Sequence, residues 1–242
     1  MPPNQDQVDF WNGRMGHEWV VLQERMDANL SAIHDALMPF AAPQGGEAVL
    51  DIGCGTGTTS LALADAVGPS GRVTGLDVSR EMLGLARQRG QGRANLTFVE
   101  ADASQASFEP EYDLLFSRFG VMFFDDPAAG FANMRKAAKP GGRIAFACWR
   151  TPQENLWASA PMAAAKPFLP DAAPPDPLAP GPFAFADAAR VRAILDQAGF
   201  KDARIEKFDG VMDMGRDLDL TAAQMLCIGP VARATADMDE AG

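Results

Sequence analysis

Apolar and polar residues run along this chain in blocks whose period changes. From Trp19, the residues Leu22, Met26, Leu30, Ile33 and Leu37 recur at three- and four-residue spacing, which predicts one apolar stripe on a helix ended by Pro39. The linker APQGGE leads to a short apolar run, AVLDIG, and then to TTSLALADAVG, closed by Gly68 and Pro69. The first run reads as a buried strand and the second as a helix. The unit then repeats. RVTGLDVS predicts a strand and REMLGLARQRG a helix capped by Ser79; LTFVEAD and YDLLFSRFG predict a third and a fourth strand. Asp126 and Pro127 open the helix PAAGFANMRKAA, and a PGG turn introduces the strand RIAFACWR.

Strands alternating with helices imply an α/β fold: a doubly wound, mainly parallel sheet covered on both faces. Right-handed crossovers gather the strands' C-terminal ends on one edge, where ligands bind. After Arg150 the pattern loosens. Pro161 to Pro182 carry many prolines without usable periodicity; Asp187 then caps ARVRAILDQAGF, ARIEKFDGVMD is strand-like, and a helical tail from Leu220 breaks at Gly229–Pro230. Four regions follow: an N-terminal helical lid (1–45), an α/β core (46–150), a Pro-rich insertion (151–186) and a C-terminal helix, strand and helical tail (187–242).

Composition narrows the partners. Apolar residues make up 47% of the 242 residues and charged ones 22%, with a formal net charge of −11, which argues against a general nucleic-acid binder. The three cysteines, Cys54, Cys148 and Cys227, are widely separated, as in a reducing compartment. MPPNQDQVDF lacks the basic start and apolar core of a signal peptide, and no apolar run is long enough to span a bilayer. A cytoplasmic protein is expected. No His/Cys/Asp cluster has metal-ligand spacing.

The chemistry concentrates in VLDIGCGTG, Val49 to Gly57. Glycines at 53, 55 and 57 let the backbone turn tightly and approach a ligand closely, and the next helix offers unpaired N–H groups. Dinucleotide binding needs a third glycine where Thr58 stands, and the Walker ending is missing too.

VLDIGCGTG resembles the first motif of class I S-adenosylmethionine methyltransferases, and Glu47 to Arg150 resemble the ubiquinone/menaquinone-biosynthesis type among them. The resemblance implies a Rossmann-like sheet and S-adenosylmethionine as cofactor. It places Asp51, Gly53, Cys54, Gly55 and Gly57 at the methionine end, and Asp77 on the ribose hydroxyls with Val78 and Met82 beside it. Asp102 and Ala103 fall on the adenine, and Ser117 borders the methionine moiety. Asp77 and Asp102 also have plain readings, as strand-end or capping carboxylates; Arg118 suits either a cofactor contact or a structural ion pair.

The segment FWNGRMGHEWVVLQERMD resembles a helical lid over the cofactor, with Phe10, Trp11 and Trp19 as closing rings and Arg14 and Gln23 as lesser contacts. Acceptor-lining candidates are Trp11, Phe119, Met122, Phe123, Trp149 and Trp157, with Phe168 and Phe183 beyond them, which implies a small hydrophobic or aromatic acceptor. Transfer from a sulfonium is an in-line displacement that alignment alone accelerates. Of the two histidines, His17 is a candidate base and His34 reads as a capping or exposed residue. The family ends its sheet with an antiparallel strand for which this chain offers no partner: the strand is lost, truncated or borrowed from another subunit of a homodimer. A protein that binds S-adenosylmethionine without catalysis, and a nicotinamide oxidoreductase on the same architecture, remain as alternatives.

Overall fold

In the computed structural model, which describes residues 3–170, 176–235 and 238, the chain opens with four short helices: α1 (Gln5–Asn12), α2 (Arg14–Val21), α3 (Gln23–Asn29) and α4 (Ser31–Ala41). The apolar stripe expected on one helix is therefore spread over three. Gly13, Leu22 and Leu30 leave helical geometry between the helices and let each one re-aim its apolar face. Pro39 lies inside α4, which ends two residues later at Ala41 and is capped by Ala42 in the left-handed region. Late in a helix, proline removes one hydrogen bond without stopping the final turn.

The core follows the expected alternation: β1 (Ala48–Ile52), α5 (Thr58–Val67), β2 (Arg72–Asp77), α6 (Arg80–Arg89), β3 (Leu96–Glu100), β4 (Tyr112–Arg118), α7 (Pro127–Arg135) and β5 (Ala138–Ala147). The sheet order is β3-β2-β1-β4-β5, and every pairing is parallel. All five residues of β1 are buried, as a central strand covered on both faces requires. Caps fall where their side chains dictate: Ser79, Asp126 and Asp187 accept from Met82, Ala129 and Ala189 backbone N–H groups. The expected PGG turn is instead a bulge. Tyr112 pairs with Ala138 but Leu114 with Arg143, and Gly141 takes up the left-handed conformation within β5.

Beyond β5 lie α8 (Leu156–Ala165), α9 (Ala188–Gln197), α10 (Leu218–Cys227) and α11 (Pro230–Ala234). Helix α8 enters the proline-rich stretch with Pro161 inside it. The strand expected over 203–213 does not form; that segment is irregular, with Ile205, Phe208 and Val211 exposed. A strand needs a ladder partner, and β5, the edge strand beside it, pairs among the described residues only with β4. A groove of about 2140 Å³ separates the two, lined by β5 on one side and by 203–212 on the other. The described residues hold no antiparallel strand. No helix among them is long and apolar enough to cross a membrane.

Two features fix the C-terminal edge of the sheet. Gly53, after β1, and Gly120, after β4, touch backbone to backbone: a Cβ on Gly120 would lie 2.6 Å from Ile52 O and 2.8 Å from Gly53 Cα. Ser117 Oγ locks the same corner by donating to Ile52 O at 2.7 Å and accepting from Gly120 N–H at 3.1 Å. Beneath the loop, the wholly buried Asp51 accepts from the Thr59 and Ser60 hydroxyls, each at 2.6 Å, through Oδ2. Its Oδ1 has no partner among the described residues, and burial pushes its pKa up from 3.8 to about 6.

Gly120→Ala should therefore destabilise the fold by about 1–3 kcal/mol through overpacking, read as a Tm several degrees lower by calorimetry; an unchanged Tm would show that the two backbones do not meet. Asp51 titrates in the opposite sense from an ion-paired carboxylate. Its raised pKa makes its contribution to stability fully present below about pH 4 and lost as pH rises through about 6. Between about pH 4 and 7, wild type should lose about 2 kcal/mol of unfolding free energy relative to Asp51→Asn. Urea titrations that run parallel across that range would contradict this.

Candidate functional site

The strand ends converge on a cavity of about 1290 Å³. Its floor is the loop from Gly53 to Thr56, its sides the residues just beyond β2, β3 and β4, and its roof α1 with part of α2. Gly53, Gly55 and Gly57 have φ of 66°, 56° and 87°, a region that penalises residues bearing a Cβ. Gly55 alone has open space in front of it, since a Cβ there would meet nothing nearer than Met82 Sδ at 3.8 Å.

Asp77, at the end of β2, is buried and accepts from Gly55 N–H at 2.8 Å and from Ser79 N–H at 2.9 Å. Burial raises its pKa, opposed by these backbone donors. Each oxygen keeps a lone pair for a further donor. Asp102, just past β3, is more committed. Its Oδ1 accepts from the Ser104 backbone and hydroxyl, both at 2.8 Å, and its Oδ2 from Gln105 at 3.0 Å and Asn4 at 3.3 Å.

Helix α1 is clasped over this edge. Asn12 Nδ2 donates to Val78 O at 2.8 Å, and Arg80 N–H donates to Asn12 Oδ1 at 3.1 Å. At the far end, Asn4 N–H donates to Asp125 Oδ2 at 2.5 Å. Gly16 allows α2 to close down, because a Cβ there would lie 2.1 Å from Trp11 O and 2.8 Å from Ser79 Oγ.

The aromatic wall is continuous. Phe119 stacks on Trp149 with centroids 4.2 Å apart and planes 5° from parallel; Trp149 meets Trp157 at 4.9 Å, and Trp157 stacks on Phe183 at 5.9 Å. On the lid side, Trp11 packs edge-on against Phe123 at 5.2 Å. Phe119 sits at φ 69°, an uncommon conformation for a bulky side chain that costs about 1–3 kcal/mol. The Phe119 N–H bond to Ala147 O and the Trp149 stack hold it there.

The cavity brings together Gly53, Cys54, Gly55, Asp77, Val78, Met82, Asp102, Ala103, Arg118, Trp11, Trp19, Phe119, Met122, Phe123, Trp149, Trp157 and Phe183. Asp51, Gly57 and Ser117 are not in its wall. Asp51 and Ser117 are wholly buried beneath the loop, and Gly57 packs against α6, where a Cβ would lie 3.1 Å from Ala86 Cβ. Phe168 is largely exposed, outside the site. So is His17, whose Nδ1 lies 2.8 Å from Glu81 Oε1. Arg14 pairs with Glu18, and Gln23 donates to Asp27, both away from the cavity wall. His34 is half-buried rather than exposed; its Nδ1 has no partner among the described residues, and burial lowers its pKa.

Several wall residues had no sequence signal. Asn4, Gln7 and Asn29 are buried polar residues of the lid region, and Met212, Met214, Gln224 and Met225 reach the cavity from the far end of the chain. Gln224 and Met214 are tied to α3, through Arg25 and Met26, and not to the glycine-loop motif. Among the described residues, no group of three His, Cys, Asp or Glu side chains could hold a metal ion.

With this geometry in view, comparison with known proteins is direct. Residues 49–142 match the family described as a methyltransferase domain. Demethylmenaquinone methyltransferase of Staphylococcus aureus (strain JH9) is 30% identical over 176 residues, covering 68% of this chain and 72% of that protein. A SAM-dependent methyltransferase from Aquifex aeolicus shares the fold with a TM-score of 0.56 at 21% identity, over 76% of this chain and 87% of that one. Haemonchus contortus phosphoethanolamine N-methyltransferase 2, crystallised with S-adenosyl-L-methionine, gives a TM-score of 0.53 at 24% identity, over 70% of this chain and 37% of that one. The chain belongs to the class I S-adenosylmethionine-dependent methyltransferases of the ubiquinone/menaquinone-biosynthesis type, and S-adenosylmethionine is its cofactor.

Proposed function

We propose that this enzyme methylates a small, apolar, ring-bearing acceptor held against the aromatic wall of Phe119, Trp149, Trp157 and Phe183. That continuous aromatic surface is the observation that carries the reading. Flat rings prefer offset stacking on such a wall, at about 0.5–1.5 kcal/mol per pair beyond area burial. The relative from Staphylococcus aureus is named for a demethylmenaquinone substrate, which is of the same chemical class.

The residues present fit the cofactor. The open backbone at Gly55 accepts close approach, and the free lone pairs of Asp77 suit a ribose diol. Val78 and Met82 line the same side, and Asp102 with the Ala103 backbone offers an edge for the base. Bound S-adenosylmethionine supplies a methyl group already activated on a sulfonium, for in-line displacement by the acceptor. The chain's own part is to align the two molecules and exclude water. Alignment is worth about 7–11 kcal/mol in favourable cases. Trp11, on the helix clasped by Asn12, lines the cavity, and a ring close to a sulfonium contributes about 0.5–2 kcal/mol.

The test is turnover with methyl-tritiated cofactor across quinols, phenols, apolar amines and phosphorylated amines. Flat apolar acceptors should be methylated, and Trp149→Ala should raise their KM about tenfold with cofactor affinity unchanged, equivalent to about 1.4 kcal/mol of lost stacking. Methylation of phosphorylated amines alone, or a KM indifferent to Trp149→Ala, would overturn the proposed acceptor class.

A further inference from the structure

Thr58 stands where a dinucleotide binder needs glycine, and its hydroxyl ties the glycine loop to the lid. It opens α5 directly after Gly57 and donates to Asp27 Oδ1, on α3, at 2.5 Å. The same hydroxyl oxygen accepts from Arg89 NH1 at 3.0 Å. Arg89 lies in the last turn of α6. Its NH1 also donates to Thr56 O at 2.8 Å, and its NH2 donates to Asp27 Oδ2 at 2.9 Å. Gln23, one turn before Asp27, donates to that second oxygen as well. Arg118 NH2 lies 4.0 Å from Asp27 Oδ1, so one carboxylate is the counter-charge of two arginines. All three charged side chains are mostly buried.

This junction joins the lid, the glycine loop and α6 from behind the site. Helix α3 lends Met26 and Asn29 to the cavity wall, and the loop lends Gly53 to Thr56. Asp27, Thr58 and Arg89 stand outside that wall. A loop with three left-handed glycines has little stiffness of its own. Its first half is tied to β2, where Gly53 and Cys54 N–H groups donate to Leu76 O and Gly55 N–H donates to Asp77. Its second half hangs on Arg89 through Thr56 O and on Asp27 through Thr58. We propose that Asp27 is a positioning residue: through Thr58 and Arg89 it locks the lid to the glycine loop, so that both take up the cofactor as one body. A carboxylate suits the position because it accepts from a hydroxyl, a guanidinium and an amide at once while offsetting positive charge. The inference rests on the cofactor lying on the glycine loop as proposed above.

The test combines hydrogen exchange of the free enzyme with calorimetric titration by S-adenosylmethionine, on Thr58→Val, Thr58→Ser and Asp27→Asn. Thr58→Val keeps the shape of the side chain without its hydroxyl. It should bind the cofactor about tenfold more weakly, as loss of a charge-assisted bond implies. In the free enzyme it should speed exchange in peptides from the loop and from α3 together. Thr58→Ser, which returns the hydroxyl, should restore both. Asp27→Asn should reproduce the loss, and the double variant with Thr58→Val should lose no more than the worse single one, because the two act through one junction. If Asp27→Asn does not fold by circular dichroism, the valine and serine variants at 58 decide the matter alone. A lowered Tm with unchanged cofactor affinity would make the junction merely structural and overturn the proposal. So would additive losses, or faster exchange in the loop without the lid. Exchange needs no cofactor. A wild type that bound none would therefore fail the cofactor's placement, while the exchange result still decides whether lid and loop are coupled.

Discussion

The site depends on one steric constraint: the backbones after β1 and β4 meet at Gly53 and Gly120 with no room for a side chain on either. That contact turns the first loop out over the strand ends and starts the short 3-10 turn that carries Met122 and Phe123. Ser117 holds the corner by bonding to both sides of it. Next to the corner, Phe119 is forced into the left-handed region and onto Trp149. The position of the aromatic wall relative to the glycine loop is therefore a consequence of how these two strands end.

Around that corner lie polar groups left incompletely satisfied. Among the described residues, Asp51 Oδ1 and Arg118 NH1 are buried without hydrogen-bond partners, and Asp77 is buried with bonds only to backbone N–H groups. Such groups cost stability. Of these, Asp77 and Arg118 line the cavity, while Asp51 lies in the core beneath its floor. The lid completes the enclosure through the two-point clasp of Asn12, a residue with no periodic or motif signal of its own.

How much was legible in the sequence follows from the range of each interaction. Buried parallel strands, the glycine loop and the Ser79, Asp126 and Asp187 caps are local, and all were readable. Trp11, Phe119, Met122, Phe123, Trp149 and Trp157, expected from the sequence near the strand ends and in the lid, all line the cavity. Asp51, Gly57 and Ser117 show the limit. A motif fixes how near a residue is to a strand end, but not whether it faces the ligand or the core beneath. The breaks at Leu22 and Leu30 carry no glycine or proline to announce them. The segment 203–213 has strand-like alternation, yet alternation records a preference, and the ladder partner that realises it lies outside the segment. Gln224 and the methionines at 212, 214 and 225 reach the cavity only through long-range packing.

Two large concavities flank the sheet, one over the strand ends and one along the open edge of β5. The proposed function puts the cofactor in the smaller, where the glycine loop, Asp77, Asp102 and the aromatic lid converge. Ultraviolet crosslinking of methyl-tritiated S-adenosylmethionine, followed by peptide mapping, separates the two directly. Label within residues 49–57, 118–124 or the lid helix bearing Trp11 is the predicted result. Label confined to 138–146 or 203–211, along the β5 edge, would contradict the site.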